Sequence, residues 1–92
     1  MANHYASGAR LERLVKLELE AKGYHVTRSA GSHGAIDLVA INARRIRLIQ
    51  VKAKGAVRPS DLRALRRLKA PPICTREIWE RQRGGTWRVR PV

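Results

Sequence analysis

The sequence predicts an α/β domain, a sheet of about five strands flanked by two helices in the order α-β-β-β-α-β-β. Three observations carry this reading. Residues 9–22 and 60–70 repeat apolar side chains at the helical period. Between them, the apolar runs Ile36–Ile41 and Ile46–Ala53 are joined by the polar Asn42-Ala43-Arg44-Arg45, as in a hairpin. After the second helix, residues 73–82 and 86–92 flank Gly84-Gly85, the signature of a second hairpin.

In chain order, residues 1–8 are small and polar and read as a loose start. A helix over Ala9–Lys22 ends at Gly23, a C′ glycine. Leu11, Leu14, Val15, Leu17, Leu19 and Ala21 form its apolar side, with Arg13, Lys16 and Glu20 opposite and Glu12 on the border. Glu18 falls inside the apolar stripe, which means either contact with a partner or a local irregularity. Tyr24–Arg28 has the β-branched character of a first strand. The small-residue loop Ser29–Gly34 feeds the strand that contains Asp37. Residues 55–59 form a linker. Ser60 is the expected N-cap of the second helix, with Asp61 suited to its N-terminus. Leu62, Leu65 and Leu68 face inward, Arg63, Arg66, Arg67 and Lys69 outward, and Pro71-Pro72 stops the helix. Trp79 and Trp87 belong to the last hairpin, where core or subunit packing is expected, and Tyr24 is expected to pack under the sheet.

Ninety-two residues are read as one domain over 1–92. Twenty Lys and Arg against seven acids give a formal charge of +13, which points to an anionic partner. Nucleic acid leads, because neutralising phosphates releases counterions. An anionic membrane comes last, since the cations are not gathered on one amphipathic helix. No segment approaches a membrane span and no signal-peptide core is evident, so a cytoplasmic location is expected. The lone Cys74 makes no intramolecular disulfide, and three scattered histidines offer no zinc spacing. Arginine outnumbers lysine three to one, which suits phosphate recognition.

The central hairpin carries the chemistry. With its turn centred between Ala43 and Arg44, Ile41 faces Ile46 and Asp37 faces Gln50, roughly 5 Å apart at Cβ. Lys52 falls on the same face by alternation. A carboxylate, an amide oxygen and an ammonium then converge, a set suited to magnesium-dependent phosphodiester hydrolysis. Asp37 is the expected anchoring ligand, with Gln50 Oε1, the Val51 carbonyl and, through water, Glu12 as companions. Lys52 is expected to orient water or neutralise the phosphate. Each residue has a plainer reading: Asp37 as an edge residue, Lys52 and Glu12 as solvated charges, His33 as a loop histidine. The coincidence of register favours the site.

Glu12-Arg13, Lys22-Gly23-Tyr24, Arg28-Ser29-Ala30-Gly31-Ser32, Ile36-Asp37-Leu38-Val39-Ala40 and Ile49-Gln50-Val51-Lys52 together resemble the archaeal-type Holliday junction resolvases of the PD-(D/E)XK nuclease superfamily. The resemblance covers residues 8–54 closely and Trp87-Arg88-Val89 weakly. It implies a restriction-endonuclease-like fold with a central mixed sheet, and a homodimer that nicks four-way junctions symmetrically with Mg2+, or Mn2+ as substitute. No small-molecule cofactor and no membrane partner are implied, and a prokaryotic or phage-encoded origin fits. It assigns catalytic positions to Glu12, Asp37 and Lys52, with Gln50 where the family usually has Glu. That exchange removes one negative charge and should weaken metal binding. Arg10, Arg13, Arg28, Ser29, Ser32, His33, Lys54, Arg63, Arg66 and Arg67 are the expected DNA contacts. Two alternatives stand beside this reading: a nuclease of the same fold acting on duplex or flap DNA, and a basic DNA-binding module weakened at Gln50.

Overall fold

The computed structural model describes residues 4–29 and 34–92, with side chains from residue 8 onward. The elements are α1 (His4–Ala21), β1 (His25–Arg28), β2 (Leu38–Ile41), β3 (Ile46–Lys52), α2 (Pro59–Arg67), β4 (Cys74–Arg81) and β5 (Trp87–Pro91). The strands form one sheet in chain order. Adjacent strands are antiparallel except β3 and β4, which run parallel with α2 as their crossover. The expected element order and mixed sheet are both present.

The β2–β3 turn sets the register. Asn42 Oδ1 accepts the N–H groups of Arg44 and Arg45 at 2.9 and 2.8 Å, closing the loop with an amide side chain. Ile41 therefore pairs with Ile46 and Leu38 with Ile49, as the turn length predicts. The ladder ends there. Asp37 lies just outside β2, and its N–H donates to the Ile49 carbonyl at 2.8 Å instead of continuing the pairing to Gln50. The expected face-to-face Asp37–Gln50 pair is corrected accordingly. The Asp37 carboxylate itself accepts the Val51 N–H, and this bond shifts the backbone by one place.

Helix α1 begins at His4, before the expected Ala9. Gly8 weakens a helix by about 1 kcal/mol but does not stop one that is propagating. At the other end Gly23 takes φ 93°, and Tyr24 N–H and Gly23 N–H bond back to the Leu19 and Glu20 carbonyls. These two bonds make a Schellman cap, which needs the left-handed glycine. The helix buries Val15 and Leu19 against Val26, Leu38, Ala40, Ile49 and Trp79. Each fully buried aliphatic side chain contributes about 1.5–3 kcal/mol. Glu12 shares that inward stripe at i, i+3, i+7 spacing with Val15 and Leu19. Leu17, expected on the apolar side, is 56% exposed instead. Ala21 is exposed as well, so the buried stripe is narrower than the sequence pattern. Glu18 faces solvent and lies 3.8 Å from Lys22.

Helix α2 covers the opposite face. Its N-cap position is Arg58, not the expected Ser60. Pro59 supplies the helical φ at N1, and the Asp61 carboxylate reaches back to accept the Arg58 N–H at 2.8 Å. Leu65 is fully buried, while Arg63, Arg66, Arg67 and Lys69 are exposed. By strand alternation Leu48, Gln50 and Lys52 of β3 and Ile78 and Glu80 of β4 lie on this side.

A charge is buried on the α1 side. Glu77 is 3% exposed and receives Arg47 in a fork, with bonds of 2.7, 2.9 and 3.1 Å. Thr75 Oγ1 and Trp79 Nε1 also donate to it. The Arg47 guanidinium sits over the Tyr24 and Trp79 rings at 5.3 and 5.6 Å. Burial pushes the Glu77 carboxyl up, but the hydrogen bonds from Arg47, Thr75 and Trp79 outweigh it and hold the group below its ordinary value. Trp87 packs on Trp79 with ring centroids 6.0 Å apart, so both tryptophans serve packing.

Candidate active site

Asp37 stands where β2 begins, beside the C-terminal end of β3. Its Oδ2 accepts the Val51 N–H at 2.8 Å, and its own carbonyl accepts the Ser29 N–H at 2.9 Å. The residue is thus tied to β3 and to the end of β1 at once. Glu12 enters from α1, and its Oε1 takes the Arg28 Nε at 2.8 Å. The Arg28 side chain remains half exposed.

Burial pushes the Asp37 carboxyl above its ordinary value. The Val51 hydrogen bond works the other way, the Glu12 carboxylate pushes it further up, and Lys52 and Arg28 pull it down. Glu12, Arg28 and Lys52 are therefore close enough to act on Asp37 electrostatically. Burial and the Glu12 carboxylate outweigh the two cations, so ionised Asp37 is under-compensated, and an added positive charge would relieve it.

Gln50 is 8% exposed, and its Oε1 is a buried acceptor without a hydrogen-bond partner among the described residues. A buried acceptor left unpaired costs about 1–3 kcal/mol, so this oxygen is available to a cation or a water. Val51 meets Asp37 through its N–H. Lys52 Nζ lies 3.2 Å from Asp61 Oδ1, both groups sheltered. No group of three or more His, Cys, Asp or Glu suited to holding a metal occurs among the described residues. The oxygen donors here are two carboxylates and one amide.

A cleft of about 190 Å³ opens at Glu12, lined by Ala9, Glu12, Arg13, Lys16, Arg28 and Leu38; Asp37, Gln50 and Lys52 are not part of its lining. Of the expected DNA contacts, Arg13 and Arg28 line this cleft. Arg10, Ser29 and Lys54 are exposed, and Arg63, Arg66 and Arg67 form the solvent face of α2. Ser32 and His33 lie outside the described residues. Among the described residues no helix is long and apolar enough to cross a membrane.

A family model, Mrr_cat, described as restriction endonuclease, matches residues 4–76. The chain belongs to this restriction endonuclease family. Among solved structures, Hjc, a Holliday junction resolvase from the archaeal hyperthermophile Archaeoglobus fulgidus, is similar with a TM-score of 0.77. The identity is 25%, covering 92% of this chain and 72% of that one. The likeness to an archaeal resolvase expected from the sequence is thus met by the family and by the fold.

Nucleases of this fold typically use divalent metals, and the residues here fit a hard cation. Gln50 offers an orphaned buried oxygen, and Asp37 is a sheltered carboxylate beside Glu12. Such a cation keeps several waters, so few protein oxygens suffice. Two residues near the site are not marked out by the sequence pattern. Lys16 reads as a residue of the far side of α1, although i+4 from Glu12 puts it on the cleft. Asp61 reads only as a helix-terminus charge, and its contact with Lys52 depends on where α2 lands.

Proposed function

We propose that this chain is a metal-dependent, structure-selective endonuclease that resolves four-way DNA junctions by paired symmetric nicks as a homodimer. The observation that carries the reading is Asp37, locked to Val51 where β2 begins, with the Glu12 carboxylate and the Lys52 ammonium acting on it. The similarity to Hjc supports the junction as substrate.

Asp37, Gln50 Oε1 and the Val51 carbonyl are the residues that would hold magnesium or manganese, with Glu12 reaching it through water. The ion, when bound, polarises a phosphate oxygen and makes its water a better nucleophile. Lys52 offers N–H donors to the attacking water or to the charge that builds on the phosphate. Arg28, anchored by Glu12, presents its outer nitrogens to the phosphate backbone, and Arg13 and Lys16 extend that surface along α1. Exposed Arg63, Arg66 and Arg67 add sequence-independent contacts. A two-fold dimer presents two such sites to a two-fold junction, which allows both strands to be cut in register.

Two other readings each have one observation in favour. The match to restriction endonucleases favours action on duplex or flap DNA. Gln50 favours a basic DNA-binding module with a weakened site. Competition of unlabelled duplex and flap against a labelled junction at near-physiological salt tests the substrate. Preference for the junction by orders of magnitude supports resolution; equal competition by duplex favours the first alternative.

A further inference from the structure

Lys52 ends β3, where a long side chain with several rotatable bonds would otherwise sample many positions. Its Nζ is 3.2 Å from Asp61 Oδ1, with the lysine side chain 25% exposed and the aspartate 15%. The second Asp61 oxygen accepts the Arg58 N–H at 2.8 Å, at the start of α2. One carboxylate therefore joins the catalytic strand to the helix that follows it.

The intervening segment is itself tied down. Gly55 takes φ 72°, a conformation glycine adopts without strain, and the Ala56 N–H bonds back to the Ala53 carbonyl. The Gly55 N–H donates to Glu80 Oε2 at 2.9 Å. Glu80 is the β4 residue paired with Lys52 and is 9% exposed. Its other oxygen faces Arg90 at 3.9 Å. Glu80 thus holds the loop, and the loop returns Asp61 over Lys52. Among the described residues, Asp61 is the carboxylate that reaches the lysine.

We infer that Asp61 is a positioning residue: it fixes the Lys52 ammonium at the C-terminal end of β3, the end beside which Asp37 stands, and acts on cleavage only through Lys52. This rests on the nuclease reading above. Cap and clamp are separable, because an asparagine amide oxygen still accepts the Arg58 N–H but leaves the ammonium without a counter-charge.

The test compares wild type, Asp61→Asn, Asp61→Glu and the surface control Glu20→Gln. The full chain is used with a labelled four-way junction and a linear duplex, in magnesium and in manganese. The inference predicts that Asp61→Asn lowers kcat at least about tenfold with KM and junction Kd unchanged, as misplacing a reacting group does. Asp61→Glu recovers part of the loss, and Glu20→Gln behaves as wild type. A second readout needs no cleavage. The Lys52 ammonium gives a 15N–1H signal slowed in exchange by its hydrogen bond, and Asp61→Asn abolishes it. Unchanged kcat, a parallel loss of junction affinity, or a surviving ammonium signal overturns the inference. A wild type that cleaves neither DNA overturns the nuclease reading instead, and the ammonium signal then decides the Asp61–Lys52 clamp alone.

Discussion

The Asp37 carboxylate accepts the Val51 N–H at 2.8 Å, so the proposed metal-binding acid is also part of the sheet's hydrogen-bond ladder. One oxygen does structural duty, and the other is free of any described protein bond. The same contact stops β2 short and turns Asp37 towards the end of β3.

This double role separates two substitutions that are often treated alike. Asp37→Ala leaves the Val51 N–H without its acceptor and costs about 1–3 kcal/mol of stability as well as cleavage. Asp37→Asn keeps an oxygen there and loses only the charge. Burial raises the Asp37 carboxyl above its ordinary value near 3.8. A raised carboxyl favours folding below the unfolded-state value, and that contribution disappears as pH rises through the folded-state value. Ionised Asp37 is therefore a burden at neutral pH. Without metal, Asp37→Asn melts higher than wild type at pH 7, and the gap closes as pH falls towards 3.8. Thermal melts across that range check it.

Glu77 follows the opposite sign. Its carboxyl is held below the ordinary value of about 4.5, so its contribution is present above that value and is lost as pH falls through the folded-state value. Glu77→Gln leaves Arg47 buried without a counter-charge, and is expected to cost about 3–5 kcal/mol in urea unfolding at pH 7. The difference from wild type shrinks below pH 4.5.

Gln50→Glu places a carboxylate at a position that is only 8% exposed. Without metal, an ionised group buried there without a described partner is costly, and the variant melts lower than wild type. With magnesium the order reverses, and the magnesium needed for half-maximal cleavage falls about 10–100-fold, the range typical of changes around a metal site. Calorimetric titration and metal-dependent melts read both effects.

Replacing Arg63, Arg66 and Arg67 together by alanine removes three exposed cations from α2. Every phosphate that is no longer neutralised lowers the slope of log affinity against log salt by about 0.9. A reduction of about 2 to 3 is expected if all three arginines touch DNA, with the cleavage rate at saturation unchanged. Filter binding over a salt series measures it.

Much of this architecture is legible in the sequence because local chemistry dictates it. The four-residue Asn42–Arg45 turn sets the hairpin register, and Gly23 and Gly84-Gly85 mark a helix end and a turn by their positive φ. What the sequence pattern hides depends on contacts between distant residues. The shift at Asp37 comes from a side chain that bonds a backbone 14 residues away. Leu17 carries the right period, but no described element covers that part of α1. Glu77, buried on the same side of β4 as Trp79, is explained only when Arg47 arrives from 30 residues away. Asp61 reaches Lys52 only because the Ala53–Arg58 loop folds back.

The most direct measurement is cleavage of an end-labelled four-way junction beside a matched duplex, with wild type and Asp37→Asn, in magnesium. A resolvase built on Asp37 makes paired, symmetrically placed nicks confined to the junction, absent from Asp37→Asn while junction binding persists. Tight junction binding with no cleavage in magnesium or manganese, or equal cutting of the duplex, would contradict it.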